Sequence, residues 1–191
     1  MKAKLIGLVL AATSAFAYAN VAGPGLKGQQ LIADSLSVDE AREEARASGL
    51  QLRIGEHLTL KAVSATFRFD SAKIPRVVDV EGVRIESANG LLLATDEATY
   101  YPELRVMTAS RATVPGFSLD SSQRGLDSGM LSNDPPDFIC HNGTLYYGET
   151  PVSGNSACLV NGFGGSMIIS CSASGNQLKF ELRDQGCPIE T

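Results

Sequence analysis

Tryptophan is absent from this 191-residue chain, and seven phenylalanines with five tyrosines supply all of its aromatic side chains. A large aromatic core is therefore excluded. Histidine occurs only twice, at His57 and His141, which leaves little material for general acid–base or metal chemistry. His57 stands between Gly55-Glu56 and Leu58, and His141 precedes Asn142-Gly143. Neither has an acid and a nucleophile at an informative spacing, so both read as turn residues and no enzyme is expected. Basic residues are also scarce, 16 against 21 acidic ones, for a net charge of −5. Nucleic-acid binding needs clustered lysine and arginine, so that class is excluded too. Gly162-Phe163-Gly164-Gly165 lacks the lysine and following helix of a phosphate loop. Asp120, Asp134 and Asp137 lack the alternating oxygen spacing of a calcium loop. No metal or cofactor is expected.

Only one apolar run of any length is present, and it lies at the start. Met1-Lys2-Ala3-Lys4 is a short basic opening, Leu5 to Ala12 is apolar, and Ala17-Tyr18-Ala19 puts small residues where a signal peptidase reads. That plan predicts a cleaved export signal over residues 1–19 with Asn20 as the first mature residue. The run is short for a membrane span of roughly 20 residues. Cleavage takes Lys2 and Lys4 and no acid, leaving 14 basic residues against 21 acidic ones and a mature net charge of about −7. The expected location is the periplasm, peripheral to the membrane and not crossing it.

Cysteine is missing from the first two thirds and then occurs four times, at Cys140, Cys158, Cys171 and Cys187. An even, clustered set in an exported chain predicts two disulfides. The zinc alternative would use the same cysteines with His141. No pair has the close spacing, roughly two to four residues, that zinc ligands use. Spacing does not fix the pairing; neighbours in sequence, Cys140–Cys158 and Cys171–Cys187, are the weakly favoured choice.

Period-two alternation fills the middle of the chain. Leu50, Leu52, Ile54, Leu58, Leu60 and Ala62 share one parity, followed by Phe67 and Phe69, Val78 and Val80, Val83 and Ile85, and Leu91 and Leu93. Such runs predict half-buried strands. Between Val80 and Val83 the apolar phase slips at Gly82, which predicts a bulge or sharp bend there. Ser37-Val38-Asp39-Glu40 fits a helix capping box, and Ala41 to Ala47 favours helix. Such a helix would bury little but alanine, and taken alone the segment divides evenly between helix and strand–turn–strand.

An internal repeat decides for strands. Ile32 to Asp39 is echoed by Lys61 to Asp70 and again by Leu93 to Tyr101, with Gly49 and Gly82 between the copies. A period near thirty residues is the signature of β units that bury a face only against their neighbours. After residue 114 the composition changes. Residues 115–136 are rich in Ser, Asp, Gly and Pro and read as a linker. Residues 137–191 read as a small β-hairpin domain held by the disulfides, with a type I′ turn at Asn142-Gly143 and strands at Asp137–Cys140, Leu145–Tyr147, Ala157–Val160, Ser166–Cys171 and Leu178–Leu182. So small and aromatic-poor a unit is marginal without covalent ties.

The run Ala33-Asp34, Val38-Asp39, Gly49, Leu50, Leu52, Gly55, Leu58, Leu60, Ala62 resembles the LptA/OstA-like repeat of lipopolysaccharide transport. The stretch Gly82 to Ile85, Gly90 to Ala94 and Asp96 to Tyr101 continues the pattern. The resemblance covers about residues 30–114, within a β-repeat domain of residues 20–114; the cysteine-bearing tail is no part of it. It implies an all-β, open β-jellyroll of two facing sheets. Its inner surface would hold acyl chains of lipopolysaccharide or another amphiphile, and its ends would stack on related envelope β-jellyroll proteins. The implied trough residues are Leu36, Val38, Leu50, Leu52, Leu58, Leu60, Phe67, Phe69, Val83, Ile85, Leu91 and Leu93. Burial of aliphatic chain contributes about 0.8 kcal/mol per CH₂, so a dozen carbons supply roughly 10 kcal/mol before ordering costs. Alternation does not say whether the space between two sheets is filled or hollow. A second reading makes the chain a non-enzymatic envelope adaptor that pairs with a partner by strand addition.

Overall fold

A computed structural model describes residues 29–39, 41–72, 74–87, 90–115, 137–160, 166–183 and 187. The expected export signal, the expected linker from 116 onward and the expected turn at 162–165 lie outside the described residues. Fourteen strands account for nearly everything described: β1 (Gln29–Ile32), β2 (Ser35–Asp39), β3 (Glu44–Ile54), β4 (Leu58–Phe69), β5 (Pro75–Ser87), β6 (Gly90–Tyr101), β7 (Val106–Ala109), β8 (Arg111–Thr113), β9 (Asp137–His141), β10 (Thr144–Tyr147), β11 (Thr150–Pro151), β12 (Ser156–Val160), β13 (Ser166–Cys171) and β14 (Leu178–Arg183). The Ser37–Ala47 stretch is strand, turn and strand, with Asp39 Oδ1 accepting from the Ala41 and Arg42 amides. The capping chemistry read in the sequence is thus used to cap a turn between strands.

The buried positions change parity part-way along each long strand. In β3 they are Ala45 and Ala47, then Leu50, Leu52 and Ile54. In β4 they are Leu58, Leu60 and Ala62, then Ala65 and Phe67; in β5 Val78 and Val80, then Val83 and Ile85; in β6 Leu93, then Ala98 and Tyr100. The switch falls on one transverse row. The register places Asp34 against Gly49, Gly49 against Val63, Val63 against Gly82, Gly82 against Asp96, and Asp96 against Arg111. Gly49 and Gly82 both have φ of +59°, a conformation that a β-carbon disfavours. The slip read at Gly82 is therefore a bend. Gly82 is itself skipped by the ladder on both sides, but the register is the same before and after it, and the register shifts fall elsewhere, at Arg68/Phe69 and Ile85/Glu86.

This crease folds the sheet into two layers. One carries β1, the 50–54 end of β3, the 58–62 end of β4, the 83–87 end of β5, the 90–94 end of β6, and β8–β11; the other carries β2, the opposite ends of β3–β6, and β7, β14, β13 and β12. A single apolar cluster fills the space between them. Gln29, on the first layer's edge, accepts from Tyr100 Oη at 3.1 Å and donates to the Pro102 carbonyl at 3.0 Å on the second. A buried polar pair satisfied in this way costs little and fixes how the layers meet.

The sheet does not stop at the linker. β14 pairs with β7 and β9 pairs with β8, so residues 137–183 extend both layers. The expected Asn142-Gly143 turn is present: His141 faces Thr144, and both turn residues have positive φ, as a type I′ turn requires. Two disulfides are present, but with a different pairing from the weakly favoured one: Cys140–Cys171 and Cys158–Cys187. Sequence neighbours do not meet because β9 and β13 belong to opposite layers. Cys140 points inward from one layer and reaches Cys171 at the end of a strand in the other. Cys158 lies on the outermost strand, β12, where the chain returns at Cys187.

Candidate functional site: the interior and the open edge

The residues expected to line a trough divide into two groups. Leu50, Leu52, Leu58, Leu60, Phe67, Val83, Ile85 and Leu93 are buried between the layers. They touch one another as core, each contributing roughly 1.5–3 kcal/mol of burial. Leu36, Phe69 and Leu91 are half-buried, and Val38 is 63% exposed. The exposed member belongs to the same inward-facing rows as the buried ones. Val38 pairs with Ala45 and Leu36 with Ala47, and both alanines are buried. The apolar interior therefore emerges into solvent at β2.

Among the described residues β2 is also a sheet edge, paired with β3 alone. β1, which continues the same edge beyond Asp34, is likewise paired with β3 alone, whereas the other ends of the sheet are protected. β11 is two residues long and contains Pro151, which cannot donate to an added strand. β12 is tied covalently to the C-terminal segment through Cys158–Cys187. Proteins blunt their edges with proline, lysine or short strands. From Gln29 to Asp39 there is no proline and no basic residue. That absence was legible in the sequence; that it fell on an edge was not.

The outer faces are polar. One shallow groove is lined by Ser64, Thr66, Asp79, Glu81, Glu97, Thr99 and their neighbours, and another by Val63, Gly82, Arg84, Asp96, Arg111 and Asp137. A third lies against β2 and is lined by Ser37, Val38, Asp39, Arg42, Glu44 and Arg46. Glu81 stands directly opposite Glu97, and Ser64 Oγ donates to Glu81. Arg68 bridges to Asp79, which also accepts from Thr99.

His57 is half-buried in the β3–β4 turn, and His141 is exposed beside Asn142 at 3.2 Å. Among the described residues no cluster of three or more His, Cys, Asp or Glu could hold a metal ion. The titrations that depart from ordinary values have structural causes. The Ile74 amide, then Arg76 and the Ala72 amide, hold the Asp70 carboxyl below the usual range. Burial pushes the phenols of Tyr100 and Tyr147 up. Among the described residues no helix is long and apolar enough to cross a membrane. The chain matches no family model and no curated protein.

Proposed function

We propose that this protein is a non-enzymatic envelope module that takes up a partner by strand addition along β2. One observation carries this reading: among the described strands β2 alone combines a side with no strand partner and an inward-facing apolar residue left in solvent, Val38. An added strand would continue the backbone ladder and cover Leu36 and Val38 in the same step. The export signal read at residues 1–19 and the paired cysteines suit a periplasmic location. Cell fractionation with N-terminal sequencing of the mature chain tests that location, with Asn20 the expected first residue.

A photo-cross-linker at Ser37, on the outward side of the edge, should trap one protein adduct in the envelope. The same probe at Thr108, on an interior strand, should trap none. Equal adducts at both positions would refute the reading.

The half-buried Leu36 and Phe69, packed against the margins of the aliphatic interior, favour a second reading, that of an amphiphile carrier akin to the LptA/OstA-like family. Because Leu60 and Leu93 are fully buried, an acyl chain would have to part the layers to reach them. Mass spectrometry of an organic extract of the mature protein tests this. Lipid-free protein that also fails to take up added lipopolysaccharide would remove it.

A further inference from the structure

We infer that the strand received along β2 is cationic: an extended segment with two alternating apolar residues flanked by lysine or arginine. This rests on the strand-addition reading and names the chemistry of its partner.

The argument is one of charge along a single edge. Residues 29–39 contain Asp34 and Asp39, both exposed, and no basic side chain. Beyond the crease, Ser35, Ser37 and Asp39 face outward while Leu36 and Val38 face the interior. An antiparallel newcomer opposite Asp39 to Ser35 therefore has fixed requirements. Its second and fourth residues sit beside Val38 and Leu36 and must be apolar. Its first and fifth sit beside Asp39 and beside Ser35 with the adjacent Asp34, where opposite charge is favourable and like charge is not. The nearby arginines do not reverse the balance. Arg42 is ion-paired to Asp39 at 3.6 Å with both side chains more than half exposed, and Arg46 stands on β3, one strand back from the edge.

The same registry disfavours a second copy of the chain. Antiparallel self-pairing about Ser37 would bring Asp39 of each copy against the Asp34–Ser35 end of the other, twice by symmetry, between mature molecules of net charge about −7 each (14 basic against 21 acidic residues). An oppositely charged strand meets neither penalty and gains long-range attraction.

The test uses the full mature protein and three peptides sharing one apolar pattern, with central residues Lys-Val-Thr-Val-Lys, Thr-Val-Thr-Val-Thr or Glu-Val-Thr-Val-Glu. Amide shifts of Ser35–Asp39 are followed by NMR, with peptide titrated into the millimolar range. The lysine peptide is expected to shift these amides and to bind roughly three- to tenfold more tightly than the neutral one at low salt. High salt should shrink that ratio, and an Asp34→Asn/Asp39→Asn variant should abolish it. Equal binding of all three, or a lysine preference that survives in the variant, overturns the cationic partner and leaves strand addition standing. No shift of the β2 amides with any peptide overturns both. Concentration-dependent shifts of the same amides without peptide, matched by dimers in sedimentation, would assign the edge to a second copy and overturn the inference.

Discussion

Gly82 shows how narrowly a single position can be constrained. Its φ is +59°, and a β-carbon built there would lie 2.7 Å from Val63 Cγ2. Gly82→Ala should lower stability by about 1–3 kcal/mol, read as the urea midpoint. Adding Val63→Ala should recover the steric part and leave the conformational part. Full recovery would mean that the backbone at residue 82 is not strained. Asp70 makes a prediction in pH. Its folded carboxyl titrates below the usual range because the Ile74 amide, Arg76 and the Ala72 amide favour its ionised form. Stability from this group is therefore complete above the unfolded value near 3.9 and is lost as pH falls through the lower folded value. Asp70→Asn should lower the melting temperature at pH 7, and the gap from wild type should close in strong acid. A gap of constant size would assign the loss to packing.

The long strands, β3 to β6, show what alternation reveals and what it hides. Inward residues were legible wherever a strand ran straight: Leu50, Leu52, Leu58, Leu60, Ile85 and Leu93 were read from spacing and are buried. The slip at Gly82 was legible because valines flank it. Its counterpart at Gly49 was not, because Ala45 and Ala47 on the far side are too small to mark a face. The near-thirty-residue repeat follows from the same row: Asp34, Val63 and Asp96 occupy it on alternate passes, with Gly49 and Gly82 between. What alternation hides is occupancy. It predicts which side chains point inward, but not that opposing layers fill the gap. On the outer face, Glu81 and Glu97 are a like-charged cross-strand pair. Glu97→Lys should stabilise the fold by about 0.2–1 kcal/mol, with the gain declining as salt is added. No change in the denaturation midpoint at low salt would show that solvent already screens the pair.

For the molecule as a whole, the decisive contacts are those between layers, and these are the ones a linear reading misses. Gln29 and Tyr100 are far apart in sequence yet share a buried hydrogen bond. Cys140 meets Cys171 because their strands lie in opposite layers. An even, clustered set of four cysteines predicted two bonds, but connectivity depends on topology, which spacing does not encode. Replacing Cys140 and Cys171 with serine should cost about 2–4 kcal/mol in denaturant unfolding. If the bond clamps the layers, hydrogen exchange should accelerate in β9 and β13 while β4 and β5 stay protected. Uniform acceleration would instead mark a general loss of stability.

The crease sets a rule for how such a molecule can change length. Every hairpin of the long strands β3 to β6 brings one descending and one ascending pass across the same line, so whole hairpins of this kind can be added or removed while the inward faces stay aligned. A lone extra pass would leave the chain heading the wrong way, and a lone extra residue in any one pass would turn half of that strand inside out. Growth in this architecture is therefore counted in pairs, and insertions are tolerated at the turns and rejected along the runs between them.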